Sequence, residues 1–146
     1  MPYKGRYTPL NPKKYKGNPT TIIYRSLMER RFMRYCDTHE NIIQWNSEEC
    51  VIPYVSPIDR RIHRYFVDFY MKVRTQEGTI KEYLVEVKPK KQTKPPPRTP
   101  TKKTKRWYGE VKTWGVNEAK WKAATEFAKD RQWNFVILTE EHLKKR

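Results

Sequence analysis

Cysteine is scarce, acidic residues are outnumbered two to one by basic ones, and no long apolar run occurs. Each shortage excludes something. Two cysteines, Cys36 and Cys50, supply neither a disulfide scaffold nor a C-x-x-C zinc site, and read as ordinary thiols in a reducing compartment. No apolar stretch approaches the roughly 18 residues of a spanning helix. The opening segment "MPYKGRYTPLNPKKYKG" is charged and lacks the apolar centre of a secretory signal. A G-x-x-x-x-G-K-[ST] phosphate loop and a Cys/His nucleophile arrangement are both missing. His39, His63 and His142 lack metal-ligand spacing and read as surface residues, with His63 placed for packing.

Basic residues are plentiful. Lys and Arg number 32 against 16 acidic residues, a formal net charge of +16 on 146 residues. Such a charge on one domain repels itself and calls for a polyanionic partner. Nucleic acid is the first candidate and an anionic membrane surface the second. Hydrophobic residues make up 36%, enough for one thin core with polar segments outside it.

Along the chain, residues 1–19 have no apolar periodicity and read as an extended basic arm, leaving 20–146 as a single domain. Apolar residues at 24, 27, 28, 32 and 35 predict a helix with one buried face. "QWNSEECVIPYVS" predicts one or two short strands broken by Pro53 and Pro57. A long hairpin follows, over about 62–75 and 79–88. Residues 89–106 are basic and proline-rich and predict a projecting loop. A second helix is expected over 117–131, capped by Asn117, with Trp121, Ala124, Phe127 and Ala128 on one side. "FVILT", 135–139, predicts a strand buried inside a sheet. The expected class is an α/β sandwich around a mixed sheet.

The hairpin poses a chemical question. Its odd positions, Tyr65, Val67, Phe69, Met71 and Val73, then Tyr83, Val85 and Val87, are apolar. If both apolar sets face one core, odd positions pair with odd ones, and a turn centred on Glu77 then sets Asp68 opposite Glu86. Facing carboxylates destabilise a sheet unless a positive charge lies between them. Hard oxygen donors on rigid strands suit Mg²⁺ or Mn²⁺. Lys88 shares their face. The competing reading is a solvated polar face, with Lys72 and Lys88 forming cross-strand ion pairs.

Asp68 followed by Glu86-Val87-Lys88 resembles the D…(D/E)-x-K signature of restriction-endonuclease-like nucleases. Their core runs helix, three-strand meander, helix, strand. "YRSLMERRFMRYCD", "RYFVDFYMKV", "YLVEVKPKK" and "WNFVILTEE" are similar to the head completion nucleases of T-even-type phages. The chain also resembles the endonuclease subunit of heteromeric transposases. One departure is Val67, where the pattern often has proline. The resemblance implies a metal-dependent DNA endonuclease that trims or nicks DNA at the packaged head. Asp68, Glu86 and the main chain of Val87 would bind Mg²⁺ (or Mn²⁺), with Lys88 and Glu29 joining the catalytic set. Glu29 has a second reading, because "SLME" is a capping-box pattern with Ser26 as the cap. The implied setting is the host cytoplasm during assembly, or the virion, with capsid, portal or neck proteins as partners and no membrane. A non-catalytic structural DNA- or neck-binding protein and a transposase-type subunit are the alternatives. Candidate DNA contacts are Lys90, Lys91, Lys94, Lys102, Lys103, Lys105, Arg106 and Trp107, with Lys13 and Lys14 on the arm. Basic groups bind phosphate, and aromatic faces stack on unpaired bases. Trp121 and Trp133 belong to periodic elements and read as packing.

Overall fold

A computed structural model describes residues 4–143. Residues 1–3 of the predicted arm lie outside them. The chain forms two short strands, β1 (Gly5–Arg6) and β2 (Ile23–Tyr24), then helix α1 (Leu27–Thr38). Five strands follow: β3 (Ile42–Ser47), β4 (Val51–Val55), β5 (Ile62–Phe66), β6 (Phe69–Arg74) and β7 (Ile80–Val87). Helix α2 (Lys105–Asp130), strand β8 (Asn134–Leu138) and a short α3 (Glu140–Leu143) complete it.

The central sheet has the order β3-β6-β7-β8, antiparallel except for the parallel β7–β8 pair. The result is the expected mixed α/β sandwich of helix, three-strand meander, helix and strand. Phe32, Met33 and Cys36 of α1 pack with Ile42, Phe69, Val85 and Val87 on one face. Ala124 and Ala128 of α2, one helical turn apart, pack with Tyr70 and Leu84 on the other. Both faces are thus covered, and the even positions Tyr70 and Leu84 are as buried as the odd ones.

Hairpin β6–β7 has the register that side-chain parity demands, with Phe69 opposite Val85 and Met71 opposite Tyr83. Its turn closes through Thr75 N–H to the Thr79 carbonyl (2.8 Å), and Gly78 supplies the positive φ of 84°. The strand expected over 62–75 is not continuous, however. β5 leaves the sheet and pairs with β4 in a separate two-stranded ribbon. Where the ribbon meets the sheet, residues 48–50 oppose only 67–68, between the pairs Ser47–Phe69 and Val51–Phe66. This is a β-bulge, with Glu48 at φ 55°, and a bulge bends and twists the strand that carries it. The bend moves Tyr65 and Val67 away from the α1 core and into the α2 core, beside Ile52 and Tyr54. Pro53 lies within β4, whose position in a two-stranded ribbon tolerates a residue lacking an N–H.

Four further expectations are corrected. The basic arm is packed, because Asp37 near the end of α1 is fully buried and draws it in. Asp37 accepts from the Tyr7 hydroxyl (2.6 Å), Leu10 N–H (2.7 Å) and Asn11 N–H (2.9 Å). Helix α2 starts at Lys105 with Thr104 as its cap, and Asn117 is buried in mid-helix. Its first half has Trp107, Val111 and Trp114 at helical spacing, but Gly109 and Gly115 interrupt it and most of it stays exposed, so the buried stripe marks the second half. Lys105 and Arg106 therefore belong to the helix, and the preceding loop contains a 3₁₀ turn over Lys90–Thr93. β8 is an edge strand, half-buried rather than enclosed, since only β7 flanks it. Among the described residues, no helix is long and apolar enough to cross a membrane.

Candidate active site

The bend that ends β5 creates the site. Asp68 sits between β5 and β6, and its carbonyl accepts from Glu48 N–H (3.1 Å), which ties it to the bulge. Its carboxylate Oδ2 accepts from Val87 N–H (2.9 Å) on the neighbouring strand. Glu86 precedes Val87 on β7, an interior strand, and is only 5% exposed. Asp68 lies next to the β6–β7 ladder, one step beyond the Phe69–Val85 pair.

The two acids act on each other. Burial first, and then the Glu86 charge, push the Asp68 carboxyl up to about 8, and Glu29 adds a smaller push in the same direction. The Val87 N–H and the Lys88 charge oppose the rise without cancelling it. Lys88 Nζ stands 3.6 Å from Glu86 Oε2, so the lysine faces the acids as strand alternation requires. Burying one more negative charge than the nearby cation offsets is costly. A divalent cation between Asp68 and Glu86 would remove that cost.

Glu29 takes the capping role that its sequence pattern predicts. Ser26 Oγ accepts from Glu29 N–H (3.1 Å), and the Glu29 carboxylate accepts from Arg25 N–H (3.0 Å), so the residue caps α1. From there its charge still reaches Asp68. The capping bond goes to Arg25 rather than to Ser26 itself, one residue further out than the usual box.

Two groups at the site carry no signal in the sequence. The Tyr65 hydroxyl donates to Glu86 Oε1 (2.5 Å), fixing one carboxylate oxygen and leaving the other towards Lys88. Burial and the Glu86 charge raise the Tyr65 hydroxyl far above its ordinary range, so it remains a donor. The Lys120 ammonium of α2 stands 5.5 Å from the Tyr65 ring centre, within cation–π reach. Tyr65 reads as a core aromatic by parity, and Lys120 as one of many helix lysines. Only their three-dimensional neighbours distinguish them.

The candidate DNA contacts divide into groups. Lys14 Nζ donates to the Asp37 and His39 carbonyls (3.1 and 2.8 Å), so this half-buried residue clips the arm to α1. Lys13 is exposed. Lys90 Nζ binds Glu141 Oε1 (2.9 Å), and its N–H binds Glu140. Lys91, Lys94 and Arg106 line a cavity between the loop and α2. Lys102, Lys103 and Lys105 are exposed beside it, with Lys103 Nζ 6.0 Å from the Trp107 ring centre. His63 is exposed and bonds Asp59 (2.8 Å), its ring 5.9 Å from that of Tyr54. Both cysteines are free thiols.

Among known families, the one described as TnsA-like endonuclease N terminal matches residues 39–140. The chain belongs to that endonuclease family. The head completion nuclease of Enterobacteria phage T4 is 42% identical over 147 residues, spanning 99% of this chain and 95% of that protein. No solved structure matches. The TnsA-like match contains Asp68, Glu86 and Lys88, while Glu29 lies outside it. Among the described residues, no three His, Cys, Asp or Glu side chains converge as a metal-binding group. The oxygens available to an ion are therefore those of two carboxylates, Asp68 and Glu86, and of the main chain. That set is hard and oxygen-only, which fits the divalent cations that nucleases use for phosphodiester chemistry.

Proposed function

We propose that this endonuclease cuts DNA at the packaged head of a tailed phage during assembly in the host cell, with Mg²⁺ or Mn²⁺ at Asp68 and Glu86. The supporting observation is a buried carboxylate, Glu86, next to a half-buried one, Asp68, with a lysine 3.6 Å from the first. The name and extent of the phage relative support the setting, in which capsid, portal or neck proteins would be its partners.

Asp68 and Glu86 would hold the ion, with the Val87 carbonyl as the main-chain donor. A bound divalent ion polarises the scissile phosphate and acidifies an attacking water. Tyr65 keeps one Glu86 oxygen engaged, so the carboxylate presents a single orientation. Lys88 stands where it can bind a phosphate oxygen or orient the attacking water, offsetting charge that develops on the phosphate. Glu29 lends a further carboxylate at the rim, as an outer acceptor for the water. Exposed lysines on the loop and at the start of α2 would hold the phosphate backbone without reading bases.

Nicking of supercoiled plasmid tests this reading. The parent nicks with Mg²⁺ and stops in chelator, and Asp68→Asn abolishes nicking while retaining DNA binding. Nicking that persists in Asp68→Asn would place the chemistry elsewhere.

A further inference from the structure

A cavity of about 690 Å³ lies between the proline-rich loop and the first half of α2. Three cations, Lys91, Lys94 and Arg106, face one carboxylate, Glu110, around it. Trp114 and the run Pro95–Pro97 supply the apolar wall. The loop is held by bonds at two points. Lys90 binds Glu140 and Glu141 near its start. The Pro97 carbonyl accepts from the Trp107 indole N–H (2.7 Å) further on. Trp114 is set edge-on against Trp121, with centres 5.7 Å apart and planes at 83°. Three consecutive prolines have fixed φ and little entropy to lose on binding. The wall is thus preformed.

The lining chemistry narrows the ligand. A ring of cations needs a polyanion, and the indole and pyrrolidine surfaces need flat apolar faces. Double-stranded DNA offers phosphates but hides its base faces in the stack. The volume lies within the range of small-molecule sites and is far too small for a duplex. Single-stranded nucleic acid carries both chemistries and fits the space. The cavity also begins at Lys91, three residues after Lys88 on the same chain, about 10 Å of extended backbone at most. We propose that this cavity binds an unpaired stretch of the DNA substrate, stacking a base on Trp114 and seating phosphates on Lys91, Lys94 and Arg106. Resting on the nuclease reading, this makes the preferred substrate DNA with a frayed or single-stranded end, the tail held beside the acids that cut.

The test measures metal-free binding of a labelled oligothymidine and of a hairpin duplex with the same number of phosphates. Lys91→Gln/Arg106→Gln changes two exposed residues and leaves the core untouched. It is expected to weaken oligothymidine binding about tenfold and to flatten its salt slope by about 0.7 for each phosphate no longer neutralised. Duplex binding should change much less. Trp114→Ala should weaken oligothymidine about five- to 150-fold, the range of one base stack removed. Equal losses on both ligands would make the loop a general phosphate-binding surface and overturn the proposal, as would no loss on either. Plasmid nicking by the parent separates the two readings. Selective oligothymidine losses without any nicking would support the cavity and remove the nuclease chemistry. Nicking with unselective losses would remove the cavity alone.

Discussion

Glu29 serves two arrangements at once, and conservative substitution separates them. Glutamine keeps an oxygen for Arg25 N–H but removes the charge felt by Asp68. Glu29→Gln should therefore melt with the parent yet nick DNA more slowly, whereas Glu29→Ala should also lose about 0.5–1 kcal/mol of stability with the cap. If both variants nick at the parent rate, Glu29 is a cap and nothing more. Asp68 carries a pH dependence. In chelator the folded state keeps the Asp68 proton up to about 8, whereas an unfolded aspartate releases it near 3.9. The native state then binds more protons than the unfolded one, so this stability is full below about pH 4 and is lost as pH rises towards 8. Glu86→Gln removes the neighbouring charge and should make that decline shallower. Adding Mn²⁺ at neutral pH should raise the parent Tm by mass action and the Glu86→Gln Tm much less. Parallel pH curves and equal metal shifts would put the ion elsewhere.

At the scale of elements, two attachments hold segments that have few apolar residues of their own. The N-terminal segment is clipped to α1 by Asp37, whose side chain meets three donors in a fully buried position. Asp37→Ala leaves the Leu10 and Asn11 N–H groups and the Tyr7 hydroxyl without this acceptor. The expected cost is about 3 kcal/mol, read as a lower Tm together with faster proteolysis within residues 5–19. A variant with parental Tm and protease resistance would show that the apolar contacts of Tyr7 and Tyr15 suffice. The second attachment joins the proline-rich loop to α2 through Trp107 and Pro97. The first half of α2 extends past the sheet, mostly exposed, and the loop meets it there at Trp107.

For the whole molecule, charge sets the partner and fold sets the place of contact. With a net +16, duplex binding should be indifferent to sequence and steeply salt-dependent, log affinity falling with log salt by about 0.9 for each phosphate neutralised. Titrations at several salt concentrations check this, and a flat response would contradict a phosphate-dominated interface. Lys14 should add nothing to that slope, since the Asp37 and His39 carbonyls hold its ammonium. Lys102, Lys103 and Lys105 should each lower it when replaced by glutamine.

Local pattern was enough for the β6–β7 half of the hairpin. Alternation pairs odd positions with odd ones and a turn centred on Glu77 selects one register, so the β6–β7 pairing and the nearness of Asp68 to Glu86 could be read from the chain. Composition likewise dictated a polyanionic partner. The bulge could not be read, because Glu48 at φ 55° is a non-glycine in the left-handed region and has no local signature. That bulge turns β5 out of the sheet, sends Tyr65 to the α2 side and aims its hydroxyl at Glu86. Asp37 gave no warning either, since its donors lie 26 to 30 residues away. The first half of α2 is hard to read because Gly109 and Gly115 weaken a helix there and its Trp107, Val111 and Trp114 are not buried against the sheet. Parity, charge and spacing act along the chain and are visible in it. A bend, a distant donor or a covering loop depends on which surfaces meet, and only packing decides that.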